Sequence, residues 1–487
     1  MLFNDGPIFL ALAEAILEGR WEAVVAHPFH PLYPAAIAGA TRLFGAGLEQ
    51  AAIGVSIAGG TLAVLASAWA ARRAFDPGLG WLVGITVALH PWAVDFSSDV
   101  MSDGLYAGLY LSGIAVLVGL LARPSVGQAV ACGLLSAAAY LVRPEGVGLA
   151  ILAVLLLVAR GLMDRGEFGA ALRAALAVAV AAALLMSPLL GALTASRGEL
   201  TLTQKKSLSA LATGASGAVD VASNETSAAV RAALPLPVSS EKFGEPREAR
   251  PSRDLLGAFD AVSRALRTSL ASFRYELAFF ACVGLFALRR RLELVREATF
   301  ILPAVAYCIV LVLLVWGAGY VARRHALAPL LPLTVYAAFG WRSLHEELAD
   351  RFAPSRATLR SGLAVTLGLA VSLSGVWGAR DLRERRDDRA PVRRAAEWLA
   401  DHAGEGRVVA AQKLRVAYYA RGRFVPLPSG TGSPIRSSFH RNDVEWLVID
   451  EARMDDHRGL SEGLGDWLQI AHVESGSGRR ALVLEVR

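Results

Sequence analysis

The chain is poor in charge and nearly lacks cysteine: of 487 residues only 19% are charged, and three are Cys. Cys132, Cys282 and Cys308 all sit in apolar runs, without metal-ligand spacing. That spacing excludes a disulfide framework or a cysteine zinc site, and they read as small hydrophobes. The start at Met1 shows no charged stretch leading into an apolar one, so no cleavable signal pattern is present.

What remains is apolar. The chain is 54% hydrophobic, with mean hydropathy +0.44, which points to membrane spans rather than a soluble globule. The net charge of +6 does not indicate nucleic acid, because the arginines gather in short loops between apolar runs, the positive-inside pattern.

Ten apolar stretches read as spans: 50–72, 80–94, 104–121, 127–141, 146–159, 170–193, 273–288, 298–316, 326–341 and 361–377. Ahead of them, residues 8–19 form a short amphipathic helix at the interface, with Ile8, Leu12, Ala15 and Ile16 on one side and Glu14 and Glu18 on another. Residues 32–48 read as a partly embedded helix interrupted by Pro34 and Arg42. Arg72–Arg73, Arg123, Arg160, Arg165, Arg173, Arg289–Arg291, Arg296, Arg342, Arg351, Arg356 and Arg360 mark the cytoplasmic loops. Alternation places 95–103, 142–145, a long loop 194–272, 317–325 and everything after 378 outside. An external start without a translocation signal predicts a further span encoded upstream of Met1. Asn224-Glu225-Thr226 is a glycosylation sequon, of a kind common by chance.

From about residue 390 the pattern changes. Residues 392–402 are amphipathic, with Ala395, Ala396, Trp398 and Leu399 inward. Strand-like runs follow at 407–411, 418–427, 446–449 and 481–486, with a helical piece at 460–470. The fold class is therefore mainly α: a polytopic membrane helix bundle over 49–378, preceded by a first external loop at 1–48, with a small extracytoplasmic α/β domain at 390–487.

Charges near a bilayer are costly, and those that oppose the orientation rule are the functional candidates. Arg143, in Leu141-Val142-Arg143-Pro144-Glu145-Gly146, and Arg323-Arg324-His325 lie at outer span ends. Guanidinium forks suit phosphate oxygens. The structural alternatives are pairing of Arg143 with Glu145 and snorkelling of Arg323 and Arg324 to headgroups. Asp5, Asp95, Asp99 and Asp103 fall on the same side, where a carboxylate can take a proton from an attacking hydroxyl. Asp5 also fits an N-cap, with Pro7 just inside a helix, and Asp103 fits a cap of the helix from Gly104. His27 and His30 flank Pro28-Phe29. Two ligands make no metal site, so they read as donors to a polar headgroup or as loop packing.

These features in this order resemble the GT-C glycosyltransferases, in the bacterial protein-mannosyltransferase-like and aminoarabinose-transferase-like branch. The resemblance rests on Asp5, the following helix, the His-Pro turn running into Leu32-Tyr33-Pro34, Arg143-Pro144-Glu145-Gly146, and Arg323 to Pro332. It implies inverting transfer of a sugar from a polyprenyl-phosphate donor to a lipid, glycan or protein acceptor, at the outer face of the plasma membrane. Asp5 would be the general base. Asp103, or nearby Asp99, would match a second acidic position, and Arg143, Arg323 and Arg324 would meet the leaving phosphate; Glu145, His325, His27 and His30 complete the substrate-binding candidates. Many relatives carry Asp-Glu in the first loop where this chain has Asp5-Gly6, which leaves a single base and weakens a metal-dependent version, so that no cofactor is expected and a divalent metal is not indicated. The competing class is a transporter or flippase for an amphipathic lipid-linked solute. It would need mid-span polar residues and often inverted repeats, and neither is evident.

Overall fold

The computed structural model describes residues 2, 5–198, 201–203, 255–289, 293–319, 321–352, 389–427, 435–457, 459–476 and 478–487. The expected span 361–377, the sequon, Arg290, Arg291, Arg356, Arg360 and most of the expected loop 194–272 lie outside them.

The chain begins with α1 (Gly6–Leu17), α2 (Trp21–Val25) and α3 (Leu32–Phe44). α1 was expected to lie at an interface, but it is enclosed: Leu10 and Leu12 are at most 1% exposed, and within the helix only Glu14 is exposed. The reason is steric. Ala11, Ala13 and Ala15 are small enough for neighbours to close over the faces they occupy. In α3 the expected interruption is absent, because Pro34 falls in the first turn, where a missing N–H breaks no helical bond.

The bundle follows as α4 (Leu48–Ala74), α5 (Pro77–Ala88), α6 (Pro91–Ser97), α7 (Ser102–Ala122), α8 (Val126–Val142), a 3₁₀ turn (Pro144–Gly146), α9 (Val147–Met163) and α10 (Phe168–Arg197). It continues with α11 (Leu255–Phe273), α12 (Tyr275–Leu288), α13 (Leu294–Ala318), α14 (Arg323–Leu330), a second 3₁₀ turn (Leu331–Leu333) and α15 (Thr334–Phe352).

The chain is a multi-pass membrane protein. Among the described residues, five helices are long and apolar enough to cross a bilayer, or up to seven if two bent pairs count as one span each. Those pairs are α5 with α6, bent by 61°, and α11 with α12, bent by 92°. The expected even run of full spans is thus corrected. Segment 80–94 breaks ahead of Pro91, and 326–341 divides at Pro329 and Pro332. Proline removes a helical donor and clashes with the preceding turn. The end of the expected loop, from residue 255, is helical and packs as α11 against α13 and α14.

One of the tight crossings joins α4 and α7. A Cβ at Gly108 would land on the Gly59 carbonyl, and one at Gly104 would sit 2.6 Å from the Ser56 carbonyl. Small residues let the two backbones touch, as membrane helices require in place of a hydrophobic drive. Ser56 Oγ donates to the Met101 carbonyl at 3.0 Å and meets Tyr33 Oη at 2.8 Å, tying α3 and α4 to the start of α7.

The C-terminal domain comprises α16 (Ala390–Ala403), β1 (Val408–Ala411), α17 (Leu414–Tyr419), β2 (Arg423–Pro426), α18 (Ile435–Arg441), β3 (Trp446–Asp450), α19 (Leu460–Gly463), β4 (Leu468–Gly476) and β5 (Arg479–Val486). The sheet order is β2-β1-β3-β5-β4; the first three strands are parallel and the last pairings antiparallel. α16 covers β4 and β5 with buried Ala395, Ala396 and Leu399. Two expectations change. Residues 460–470 hold only one helical turn, and Leu468 and Ile470 instead enter edge strand β4. Tyr418 and Tyr419, read as strand, end helix α17; packing overrides their β preference.

Candidate active site

Asp5 stands at the first position ahead of α1, but its side chain makes no cap hydrogen bond. Its carbonyl accepts from the Ile8 and Phe9 amides at 3.1 and 3.3 Å, while Oδ2 accepts from Arg324 Nη1 at 2.6 Å. The capping alternative is thus not what the carboxylate does. It is turned toward a guanidinium 319 positions away in sequence.

The Arg323-Arg324-His325 cluster divides, because successive helical residues point about 100° apart. Arg324 faces inward. Arg323 lies over the Trp92 ring at 4.5 Å, and its carbonyl accepts from Ser272 Oγ at 2.9 Å. The His325 amide donates to the Ala322 carbonyl at 3.0 Å.

A second charged group adjoins the first. Asp103 lies in the first turn of α7 and does not precede it as a cap; it is 8% exposed and pairs with Arg143 Nη1. Arg143 Nε lies 4.0 Å from Glu145 Oε2, and Tyr307 Oη donates to Glu145 Oε1 at 3.2 Å. The Tyr106 ring lies 5.6 Å beneath the Arg143 guanidinium. Gly146 makes this hairpin possible, since a Cβ there would collide with the Tyr140 backbone. The pairing of Arg143 with Glu145 weighed from sequence is present, with Asp103 as a nearer partner.

Arg324 and Asp103 both line one cavity of about 380 Å³ between α4, α6, α7 and α14. Its other walls are mostly apolar, including Ala63, Val64, Phe96, Leu327 and Leu331. Ile57 and Leu65, also in its wall, are 51% and 61% exposed on α4, so the cavity opens sideways where lipid chains would lie. One residue of each charged group, Arg324 and Asp103, therefore lines a lipid-accessible apolar hollow. A cavity so built suits an amphipathic molecule with an anionic head.

The remaining expected residues lie elsewhere. His30 is buried and its Nδ1 donates to the Tyr140 carbonyl at 2.6 Å; His27 Nδ1 accepts from the Phe29 amide at 3.1 Å. Asp99 Oδ1 accepts from the Val100 amide at 2.7 Å. None of the three lines this cavity. Tyr307, Tyr106 and Trp92 were not foreseen. The only sequence signal for Tyr307 is a hydroxyl inside an otherwise aliphatic run. Among the described residues no group of three or more His, Cys, Asp or Glu is placed to hold a metal ion.

The fold is that of the GT-C glycosyltransferases. ArnT, the aminoarabinose transferase of Cupriavidus metallidurans, superposes with a TM-score of 0.59 at 16% identity, over 99% of this chain and 93% of that one. Its complex with undecaprenyl phosphate gives 0.59 at 15%, over 99% and 94%. The oligosaccharyltransferase AglB of Archaeoglobus fulgidus, with an inhibitory peptide and a dolichol-phosphate, gives 0.51 at 14%, over 93% and 66%. No family model matches the sequence, and no curated protein matches it.

Proposed function

We propose that the chain is a membrane glycosyltransferase that moves a sugar from a polyprenyl-phosphate donor to an extracytoplasmic acceptor. The observation that carries the reading is the Asp5–Arg324 pair, in which Asp5 is held 2.6 Å from Arg324, the one of the two residues that lines the lipid-accessible cavity. The undecaprenyl phosphate bound by ArnT supports the class of donor. The prenyl chain would occupy the apolar walls and its phosphate would meet Arg324.

The chemistry then needs few groups. The acceptor hydroxyl attacks the sugar's anomeric carbon on the face opposite the phosphate. The bond from that carbon to the phosphate oxygen breaks, and configuration inverts. The proton passes to the Asp5 carboxylate, and Arg324 stabilises the charge left on the phosphate. In the resting pair Arg324 neutralises Asp5. A bound phosphate competes for the guanidinium and frees the carboxylate to accept a proton. Asp103, which lines the same cavity and is held by Arg143, would orient the sugar or phosphate.

The arginine-rich short loops, as cytoplasmic markers, support an active site and C-terminal domain outside the cytoplasm, in the plasma membrane. The test is incubation of purified protein with labelled polyprenyl-phosphate sugars, followed by measurement of sugar transfer and carrier release. Asp5→Asn is expected to keep the fold and lower transfer roughly 10²- to 10⁴-fold. Full activity in Asp5→Asn would exclude Asp5 as the base.

A further inference from the structure

The C-terminal domain touches the bundle at a specific point. α17 presents two side chains to the main chain of Leu2, three residues ahead of Asp5. Arg415 Nη1 donates to the Leu2 carbonyl at 3.0 Å, and the Leu2 amide donates to Tyr419 Oη at 3.3 Å. Both backbone groups of one residue are thus held by one short helix.

Tyr419 is itself fixed. Its hydroxyl donates to Glu49 Oε1 at 3.2 Å, in the first turn of α4, and the Arg393 guanidinium of α16 lies 4.4 Å over its ring. Arg393 Nη1 also approaches Glu49 Oε1, at 3.7 Å. The Leu2 side chain is 2% exposed and packs by Gly6, where a Cβ would meet Leu2 Cβ at 3.2 Å. The first loop is therefore pinned on both sides of Asp5: by α17 before it, and by α1 after it.

We propose that Arg415 and Tyr419 are positioning residues: through the Leu2 main chain, the C-terminal domain sets where the Asp5 carboxylate stands relative to Arg324. The proposal rests on Asp5 being the base. A carboxylate on a loop would otherwise sample many positions, and a displacement of about 1 Å is worth as much as 10²-fold in rate. Burial lowers the Arg415 pKa to about 10, with Arg389 acting in the same direction and Asp99 opposing them. The group stays charged at neutral pH. A charge-assisted bond shielded from water is a strong one.

The test uses the full chain in lipid nanodiscs. Hydrogen exchange of the segment spanning residues 2–12 is compared among the native protein, Arg415→Ala, Arg415→Lys, Tyr419→Phe and the surface control Arg436→Ala. Transfer of labelled sugar is measured on the same samples. Arg415→Ala and Tyr419→Phe are expected to speed exchange in this segment about tenfold while α4 and α7 keep their protection. They are expected to lower kcat about tenfold, with the donor KM within twofold. Arg415→Lys restores most of both, and Arg436→Ala changes neither. Should Arg415→Ala not fold, Tyr419→Phe, which loses a single hydroxyl, decides the matter. Unchanged exchange, or faster exchange with unaltered kcat, overturns the proposal. If the native protein transfers no sugar yet the variants exchange faster, the anchoring stands and the transferase reading is what fails.

Discussion

At the scale of residues, the Asp103–Arg143–Glu145 group and the Asp5–Arg324 pair differ in what their loss should do. Arg143 serves two carboxylates, and its own side chain is 12% exposed. Removing this cation would leave two like charges in a poorly solvated pocket. Breaking a buried pair by removing one partner costs about 3–5 kcal/mol. Arg143→Ala is therefore expected to lower the thermal unfolding midpoint in detergent by several degrees, whereas Tyr307→Phe, which removes one donor to Glu145, costs about 1 kcal/mol. Asp5→Asn should barely move the midpoint, since that pair is more open, with side chains 23% and 19% exposed. A larger midpoint loss in Asp5→Asn than in Arg143→Ala would contradict this ranking. Asp5, Arg143 and Arg324 were visible in the sequence because basic and acidic residues at the outer ends of spans stand out against an apolar background. Tyr106, Tyr307 and Trp92 were not, because aromatic residues in an apolar run read as packing or interface anchors until a neighbour is known.

Among the elements, the α4–α7 crossing is a demanding one. Gly108→Leu would drive four carbons into the Gly59 backbone, and overpacking of this kind costs about 1–3 kcal/mol or more. The variant should show lost membrane expression or a lowered unfolding midpoint, while Gly54→Ala, on α4 where a Cβ meets nothing within 4 Å, should be neutral. At the far end of α4, Asp76 caps α5 through the Leu79 amide at 2.9 Å and accepts from Arg342 Nη1 at 2.7 Å. Burial raises its pKa, but the Arg342 hydrogen bond, the Leu79 amide and the Arg342 charge together outweigh that and hold it below its usual value. A depressed carboxylate contributes stability above its unfolded-state pKa and loses it as pH falls through the folded one. Asp76→Asn should therefore be less stable than the native chain at pH 7, and the difference should shrink as pH falls through the depressed folded-state pKa. A difference independent of pH would remove the charge from the explanation. Long apolar helices such as α4, α7, α10 and α13 were legible from the sequence. The breaks at Pro91, Pro329 and Pro332 were in plain view too, yet hydropathy averaged over a window passes across them. The burial of α1 was not legible, because Glu14 and Glu18 give it an apparent polar face and only the packed structure shows what lies against its alanines.

For the molecule as a whole, the order of apolar runs and the change of pattern near residue 390 were enough to anticipate a membrane bundle with an α/β tail. The superposition on ArnT extends over nearly the full chain. Sidedness is the property to test at this scale. Arg436→Cys, in the C-terminal domain, should react with a membrane-impermeant maleimide in intact cells. Arg165→Cys, in the α9–α10 loop, should react only after permeabilisation. The opposite result would put the cavity on the cytoplasmic face.

The grip of α17 on Leu2 also has a bearing on biosynthesis. The ribosome delivers the N-terminal loop first and the clamp for it near the end, after every helix of the bundle has been inserted. A nascent or prematurely terminated chain would therefore house a lipid carrier without the clamp that holds its carboxylate in register, and would reach full speed only once translation had run to the tail.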